Sequence, residues 1–272
     1  MPKSRVHHSA RLLTSSGPLA GASVVVTRPA GSAQTLKRRI RALGGTALSL
    51  PGIALRATDA VAAAKSALGA ARSADVAIFI SPAAVRFAFA LRPGLRFARD
   101  TEVCAIGAAT ARALARHTIR NVLWPREQQN SEGLLALPSL QMLRGLDVAL
   151  IGAPGGRDLL ASTLRSRRAR VSRIHVYRRM PPRLTRRQLD AVEQAPAPLL
   201  TLLSSAEVLD NLRARLPLHL FARLAAGELI VSSERLAKAA RASLFDRVHI
   251  AASAMPADLL ETARMALARH RL

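Results

Sequence analysis

The residues best suited to chemistry lie in turns that follow short apolar runs. They are Thr27-Arg28 after Val24–Val26, Ser81 after Val76–Ile80, Gly107 to Thr110 after Glu102–Ile106, Gly152 to Arg157 after Asp147–Ile151, Ser204-Ser205 after Leu199–Leu203, and Ser232-Ser233 after Glu228–Val231. Each turn opens a helical pattern, so it offers unpaired backbone N–H groups and the positive end of a helix dipole, and a hydroxyl adds one more donor. Turned toward one cleft, such corners bind carboxylates without a dedicated arginine for each. The same serines equally suit plain helix caps, and that reading stays open for every one of them. Tyr177, the only tyrosine, closes a β-rich run with Val171, Ile174 and Val176 that Pro181-Pro182 brings to an end. It reads as a strand leaving one lobe with its phenol where two lobes meet, or as an aromatic that caps a core.

Other chemistries lack their residues. Gly152-x-x-Gly155-Gly156 departs from the GxGxxG dinucleotide fingerprint and has no phosphate-loop lysine. The seven histidines show no metal-ligand spacing, and neither a Ser-His-Asp order nor HExxH is present. Cys104, alone in Val103–Ile106, allows no intrachain disulfide and no cysteine metal cluster, and reads as a buried thiol. The arginine runs Arg165 to Arg168 and Arg186-Arg187 read as solvated helix faces.

A chain of 272 residues, half of them apolar, is long enough for two domains with a sizeable core. The formal net charge is +24, and all but four of the 41 basic residues are arginine. That skew reads in part as codon bias, with no bearing on function. The remaining field still concentrates polyanions, whether nucleic acid, anionic membrane or polycarboxylate metabolite. A nucleic-acid binder would need stacking aromatics on a basic face, and aromatics make up only 3%. No stretch reaches the ~18–20 apolar residues of a membrane span. Residues 1–22 carry no signal-peptide core and read as a disordered basic leader on a cytoplasmic protein.

From Ser23 onward, strand, glycine or serine turn, and helix alternate, as in parallel sheets wound by right-handed crossovers. Expected strands fall at Val24–Val26, Ala47–Leu50, Val76–Ile80, Glu102–Ile106, Asn121–Trp124, Asp147–Ile151, Val171–Tyr177, Leu199–Leu203, Glu228–Val231 and Arg247–Ala251, with a helix from Ser131 to Met142 among those between them. Breakers at Pro51-Gly52 and Pro181-Pro182 mark two crossings, near 50–53 and 176–182. They divide the chain into a discontinuous first α/β lobe, 23–50 plus 181–272, and a continuous second one, 53–176. Two echoes suggest duplicated halves: Ile78–Val85 resembles Thr201–Val208, and Val103–Arg112 resembles Leu229–Lys238.

Taken in order, Val26-Thr-Arg-Pro29, Phe79-Ile-Ser-Pro82, Ala105-Ile-Gly107 with Thr110-Ala111, Asn130-Ser-Glu-Gly-Leu-Leu135, Gly155-Gly-Arg157, Val176-Tyr177-Arg178 and Val231-Ser-Ser-Glu-Arg-Leu-Ala237 resemble the uroporphyrinogen-III synthase family, from about Ser23 to Ala268. The resemblance implies two open, mainly parallel flavodoxin-like α/β lobes joined by a two-stranded connector, a substrate cleft between them, and a monomer that uses no metal or organic cofactor. It also implies cyclisation of hydroxymethylbilane with inversion of its last ring and loss of water. Its conserved tyrosine falls on Tyr177, its first-lobe hydroxyl on Ser204, and its second-lobe groups on Ser81 and Thr110. Substrate contacts are expected from Thr27, Arg28, Ser81, Gly107, Thr110, Ser131, Gly156, Arg157, Ser204, Ser205, Ser232 and Ser233. Leu236-Ala237 stands where relatives often have Thr-Ala, and Gly152 where some have arginine. The competing readings are a non-catalytic polyanion-binding module and a nucleic-acid binder.

Overall fold

The first strand, β1 (Ser23–Val26), is buried over its whole length, as a run of small and β-branched residues inside a parallel sheet must be. In α1 (Ala30–Ala42), Ala33, Leu36 and Ile40 recur at helical spacing and are the buried residues, while the arginines face outward. The chain continues through β2 (Thr46–Ser49), β3 (Ala54–Ala57), α2 (Val61–Ala70), β4 (Val76–Phe79), α3 (Pro82–Leu91), β5 (Glu102–Ala105), α4 (Ala108–Ala115), β6 (Val122–Leu123) and α5 (Ser131–Leu135). There follow β7 (Asp147–Gly152), α6 (Leu159–Ser166), β8 (Arg170–His175), β9 (Tyr177–Met180), α7 (Arg186–Glu193), β10 (Leu199–Leu203), α8 (Ala206–Arg215), α9 (Leu218–Ala225), β11 (Glu228–Val231), α10 (Glu234–Arg241), β12 (Val248–Ile250) and α11 (Pro256–His270). The structure is a computed structural model, and it describes residues 17–155 and 158–270.

The chain forms two compact units. Unit 1 takes the chain up to Ala54 and again from Pro181, and unit 2 is Leu55–Met180. Unit 1 is built on a five-stranded sheet of order β12-β11-β10-β1-β2, unit 2 on one of order β6-β5-β4-β7-β8, and β3 pairs with β9 in a separate two-stranded ribbon. Every pairing within the two large sheets is parallel, so the carboxyl ends of all strands in a sheet share one edge. In unit 1, one face of the sheet is covered by α1 and by Leu259, Leu260, Ala263 and Leu267 of α11. In unit 2, one face packs on α2, α3 and α4, and the other on α5 and α6.

The two strand orders look different until the registers are laid side by side. Across unit 1 the row His249, Ile230, Leu202, Val26, Ser49 runs through β12, β11, β10, β1 and β2. Across unit 2 the row Leu123, Cys104, Ile78, Leu150, Arg173 runs through β6, β5, β4, β7 and β8. One constant shift in residue number carries Val26 onto Leu150, Ser49 onto Arg173 and Ile78 onto Leu202. Cys104 falls on Ile230 after two residues more. The helix caps agree, since Ser81 and Ser205, and likewise Gly107 and Ser233, each lie three residues beyond their row. The chain is thus a tandem repeat whose copies have exchanged parts: β1 and β2 of the first copy complete the sheet of β10, β11 and β12, and β7 and β8 of the second complete that of β4, β5 and β6.

Four expectations need correction. The leader does not extend to residue 22, because Leu19 and Ala22 are fully buried in unit 1 and the Leu19 N–H donates to Leu43 O at 2.8 Å; residues 1–16, the rest of that segment, lie outside the described residues. The helix expected from Ser131 to Met142 stops at Leu135, and Pro138 opens a separate 3-10 turn, Pro138–Leu140, because proline removes a helical donor. The run Val171–Tyr177 is two strands, β8 and β9, parted at Val176, and they join different sheets. The echo of Ile78–Val85 in Thr201–Val208 is one residue out of step. It would set Ser81 on Ser204, whereas cap and register set Ser81 on Ser205, and a one-residue slip in a strand exchanges its two faces.

Candidate active site

In open α/β sheets, ligands lie beyond the carboxyl ends of the strands. At that edge of unit 2, Ser81 caps α3, its Oγ accepting the Ala84 N–H at 3.0 Å. The Tyr177 hydroxyl stands 3.2 Å from the same oxygen. Tyr177 gets there because β8 ends at His175. Val176 then donates its N–H to Gly152 O at 2.9 Å and accepts the Thr58 N–H at 3.3 Å, so the chain turns into β9 with the phenol facing α3. The ring is 3% exposed and stacks on Phe87, with centroids 5.3 Å apart and planes 17° apart. The Arg86 guanidinium lies over the other aromatic of that stack, 4.7 Å from the Phe87 centroid. A hydroxyl has one proton and two lone pairs. Either hydroxyl can donate across this 3.2 Å contact; with Ser81 as the donor, the phenol proton is left for a ligand.

The next corner of unit 2 is the start of α4. Gly107 is buried and precedes the helix, and a Cβ on it would fall 2.8 Å from Gln129 Oε1 and 2.9 Å from Gln129 Cβ. That oxygen accepts the Ala108 N–H at 3.0 Å. Thr110, in the first turn of α4, is 1% exposed, and its Oγ1 has no hydrogen-bond partner among the described residues. At the end of β7, a Cβ on Gly152 would fall 2.2 Å from Ile80 Cδ1, so a side chain there would have to displace the end of Ile80. Beside it a hollow of about 230 Å³ is lined by Pro154, Gly155, Asp158, Arg173 and His175. Arg173 is ion-paired with Asp158 there. Ser131 is the first residue of α5, half-buried, but the cap of that helix is Asn130, whose Oδ1 accepts the Gly133 N–H at 2.9 Å. Gly156 and Arg157 lie outside the described residues.

In unit 1 the corresponding edge carries Thr27, Arg28, Ser204, Ser205, Ser232 and Ser233. The Thr27 side chain is buried and donates to Leu202 O at 2.7 Å, which ties β1 to β10 where the winding of the sheet reverses. That hydroxyl therefore holds the sheet together. Arg28 donates to Ala254 O, and burial lowers its pKa below the usual guanidinium value. Its charge is retained over the whole physiological range. Ser233 caps α10, its Oγ accepting from Leu236 N–H at 3.4 Å. Ser205 occupies the cap position of α8 without a side-chain bond.

The described members of the expected set lie at strand ends and helix starts of the two units. Ser81 and Tyr177 meet through their hydroxyls, and the Thr110 N–H donates to Gly107 O at 3.0 Å. Phe87 and Gln129 escaped the sequence reading. Phe87 lies in an Ala-rich helix that reads as plain core, and Gln129 lies in a polar loop whose fold-back onto Gly107 leaves no periodic trace.

Two doubly wound α/β units, each with hydroxyls and helix starts along the carboxyl edge of its sheet, define the class: a two-unit α/β protein. The family model described as uroporphyrinogen-III synthase HemD matches residues 34–261. Uroporphyrinogen-III synthase of Escherichia coli (strain K12) is 31% identical over 231 residues, which cover 80% of this chain and 90% of that protein. The synthase of Salmonella typhimurium is 34% identical over 232 residues, with the same shares. Among solved structures, the uroporphyrinogen-III synthetase of Helicobacter pylori 26695 matches with a TM-score of 0.57 at 14% identity, over 89% of this chain and 98% of that one. A mutant uroporphyrinogen III synthase of Thermus thermophilus matches at 0.55 and 20%, over 91% and 99%. These two carry the likeness of fold. The chain belongs to the uroporphyrinogen-III synthase family, cyclising lyases of tetrapyrrole biosynthesis.

Proposed function

We propose that the protein closes hydroxymethylbilane into uroporphyrinogen III, inverting the last pyrrole and releasing water, with Tyr177 as the group that assists departure of the hydroxyl. The observation that carries this reading is the contact between Tyr177 and Ser81 at the start of α3, 3.2 Å between oxygens. The substrate bears an acetate and a propionate on each pyrrole. Helix starts and hydroxyls at Ser81, Gly107, Thr110, Ser131, Ser204, Ser205, Ser232 and Ser233, with the fixed cation of Arg28, take up those carboxylates, and Gly156 and Arg157 keep the contacts expected of them from the sequence. Thr27 holds the β1 corner in place behind them. Because pyrroles are already strong carbon nucleophiles, holding the ends of the chain in a closing pose lowers the barrier by up to about 7–11 kcal/mol. What remains is C–O cleavage. The Tyr177 proton goes to the leaving oxygen while the Ser81 proton bonds the oxygen it leaves behind, so negative charge on the phenol is met as it forms.

We take the reaction to run in the cytoplasm on a monomer. The chain carries both donor sets itself, and its one cysteine, Cys104, is buried, with its pKa raised first by desolvation and then by Glu102.

The test is to supply freshly made hydroxymethylbilane and separate type-I from type-III product. Tyr177→Phe is expected to lower type-III formation about 100-fold, the low end of general acid catalysis, with the far-UV spectrum unchanged. Undiminished turnover removes Tyr177 from the mechanism, and failure of the native protein to form type-III product removes the function.

A further inference from the structure

At the start of α4 the position a ligand carboxylate would take is occupied by the protein's own Gln129. Its amide oxygen accepts the Ala108 N–H at 3.0 Å, and Gly107 lacks the side chain that would otherwise lie 2.8 Å from that oxygen. The loop that brings it is pinned at both ends. Trp124, the only tryptophan, lies under the Arg126 guanidinium at 4.1 Å. At the other end the Asn130 N–H bonds to Gln128 O at 2.9 Å while its side chain caps α5. Between these anchors Gln129 itself is exposed.

A second observation points to a ligand at the same place. Thr110 Oγ1 is buried and unpartnered among the described residues, a state that costs about 1–3 kcal/mol in a folded protein. Thr110 and Leu114 are the buried residues of α4 and share one face, and side chains on a helix lean toward its N-terminus. The orphan hydroxyl therefore leans toward the end that Gln129 covers. An amide oxygen satisfies one N–H there; a carboxylate, with two oxygens and full charge, satisfies that N–H, meets the dipole and keeps a second oxygen for a donor such as the Thr110 hydroxyl.

We infer that Gln129 is an internal stand-in for a substrate carboxylate, displaced when an acetate or propionate side chain arrives. This deepens the proposed function and rests on it for the identity of the carboxylate. Gln129 is a positioning residue: it keeps the α4 amide filled when no substrate is present, and each binding event must break its bond. Removing it leaves the amide open and favours ligand. Replacing its amide by a carboxylate makes the stand-in a stronger competitor.

The experiment is a calorimetric titration of the full-length protein with butane-1,2,3,4-tetracarboxylate, for the native protein, Gln129→Ala and Gln129→Glu. Gln129→Ala is expected to bind about 3- to 10-fold more tightly, the value of one ordinary hydrogen bond. Gln129→Glu is expected to bind about 2- to 5-fold more weakly, the value of one anion at a helix start. With hydroxymethylbilane, KM moves in the same directions and kcat stays within about twofold. A Gln129 that merely braces the loop predicts the reverse for alanine, weaker binding with a lower Tm. Unchanged or weaker binding by Gln129→Ala, or no weakening by Gln129→Glu, overturns the proposal. If the native protein fails to convert hydroxymethylbilane, the function falls while the titration still decides the role of Gln129.

Discussion

Matched position by position, the two units share a scaffold and differ in chemistry. Ser81 of unit 2 falls on Ser205 of unit 1, Gly107 on Ser233, Thr110 on Leu236, and Tyr177 on Ile53, all by the shifts that align the sheet rows. Ser81 caps its helix and meets a phenol, while Ser205 caps without a side-chain bond and its counterpart of the phenol is a buried isoleucine. Thr110 keeps an unpartnered hydroxyl, and Leu236 fills the same place with carbon in the unit 1 core. The turn after the first strand of each repeat differs too: α1 starts four residues past its row, behind Pro29, and α6 starts only after Asp158. On the proposed reading the two copies of one fold divide the work, unit 1 offering donors and the Arg28 cation and unit 2 adding Tyr177 and the Thr110 hydroxyl.

The contrast breaks most sharply if residues are exchanged between matched places. Leu236→Thr puts a hydroxyl into the apolar packing of α10 and is expected to cost about 1–3 kcal/mol in urea denaturation. The reciprocal Thr110→Val removes an orphan and is expected to stabilise the fold by about 1 kcal/mol while weakening polycarboxylate binding. A loss of stability in Thr110→Val would mean that the hydroxyl is already satisfied in solution. The two cap serines give a smaller contrast. Ser81→Ala should lose about 1 kcal/mol of stability with its cap bond and lower kcat. Ser205→Ala should stay within about 0.5 kcal/mol and act on KM alone. Equal effects in the two units would dissolve the division of labour.

The smallest effect is one of pH. The Asp147 carboxyl at the start of β7 is held below its ordinary pKa first by hydrogen bonds from Arg170, at 2.7 and 2.8 Å. Because the folded-state value is the lower one, this contribution is present above the carboxyl's unfolded pKa. It is lost as pH falls through the folded value. Asp147→Asn should therefore flatten a little of the acid limb of the stability curve and leave stability at neutral pH nearly unchanged, since the pair is solvent-exposed.

Much of this architecture was legible in the chain. Buried parallel strands write themselves as runs such as Leu199–Leu203, and Ser81-Pro82 announces a capped helix with proline in its first turn. The hydroxyls at strand ends were legible for the same reason, as they sit where apolar runs stop. Short-range pattern could not reveal partners brought from far along the chain. Nothing local says that Val176 parts two strands of different sheets, that Thr27 is committed to Leu202, or that Gln129 folds back over Gly107. The repeat was visible as two echoes, but the Ile78 one was aligned on its serines and so slipped by a residue. Hydrogen-bonded register, which sequence likeness does not contain, sets it right.

The exchanged repeat also sets an order of assembly on the ribosome. Leu55–Met180 holds all five strands of its own sheet and can fold as soon as it emerges. The earlier-made β1 and β2 must wait for β10, which pairs with β1 from more than half the chain away, a long closure that slows folding. The amino-terminal segment is thus synthesised first and secured last, and a message truncated after Met180 would yield a finished second unit trailing two unclaimed strands.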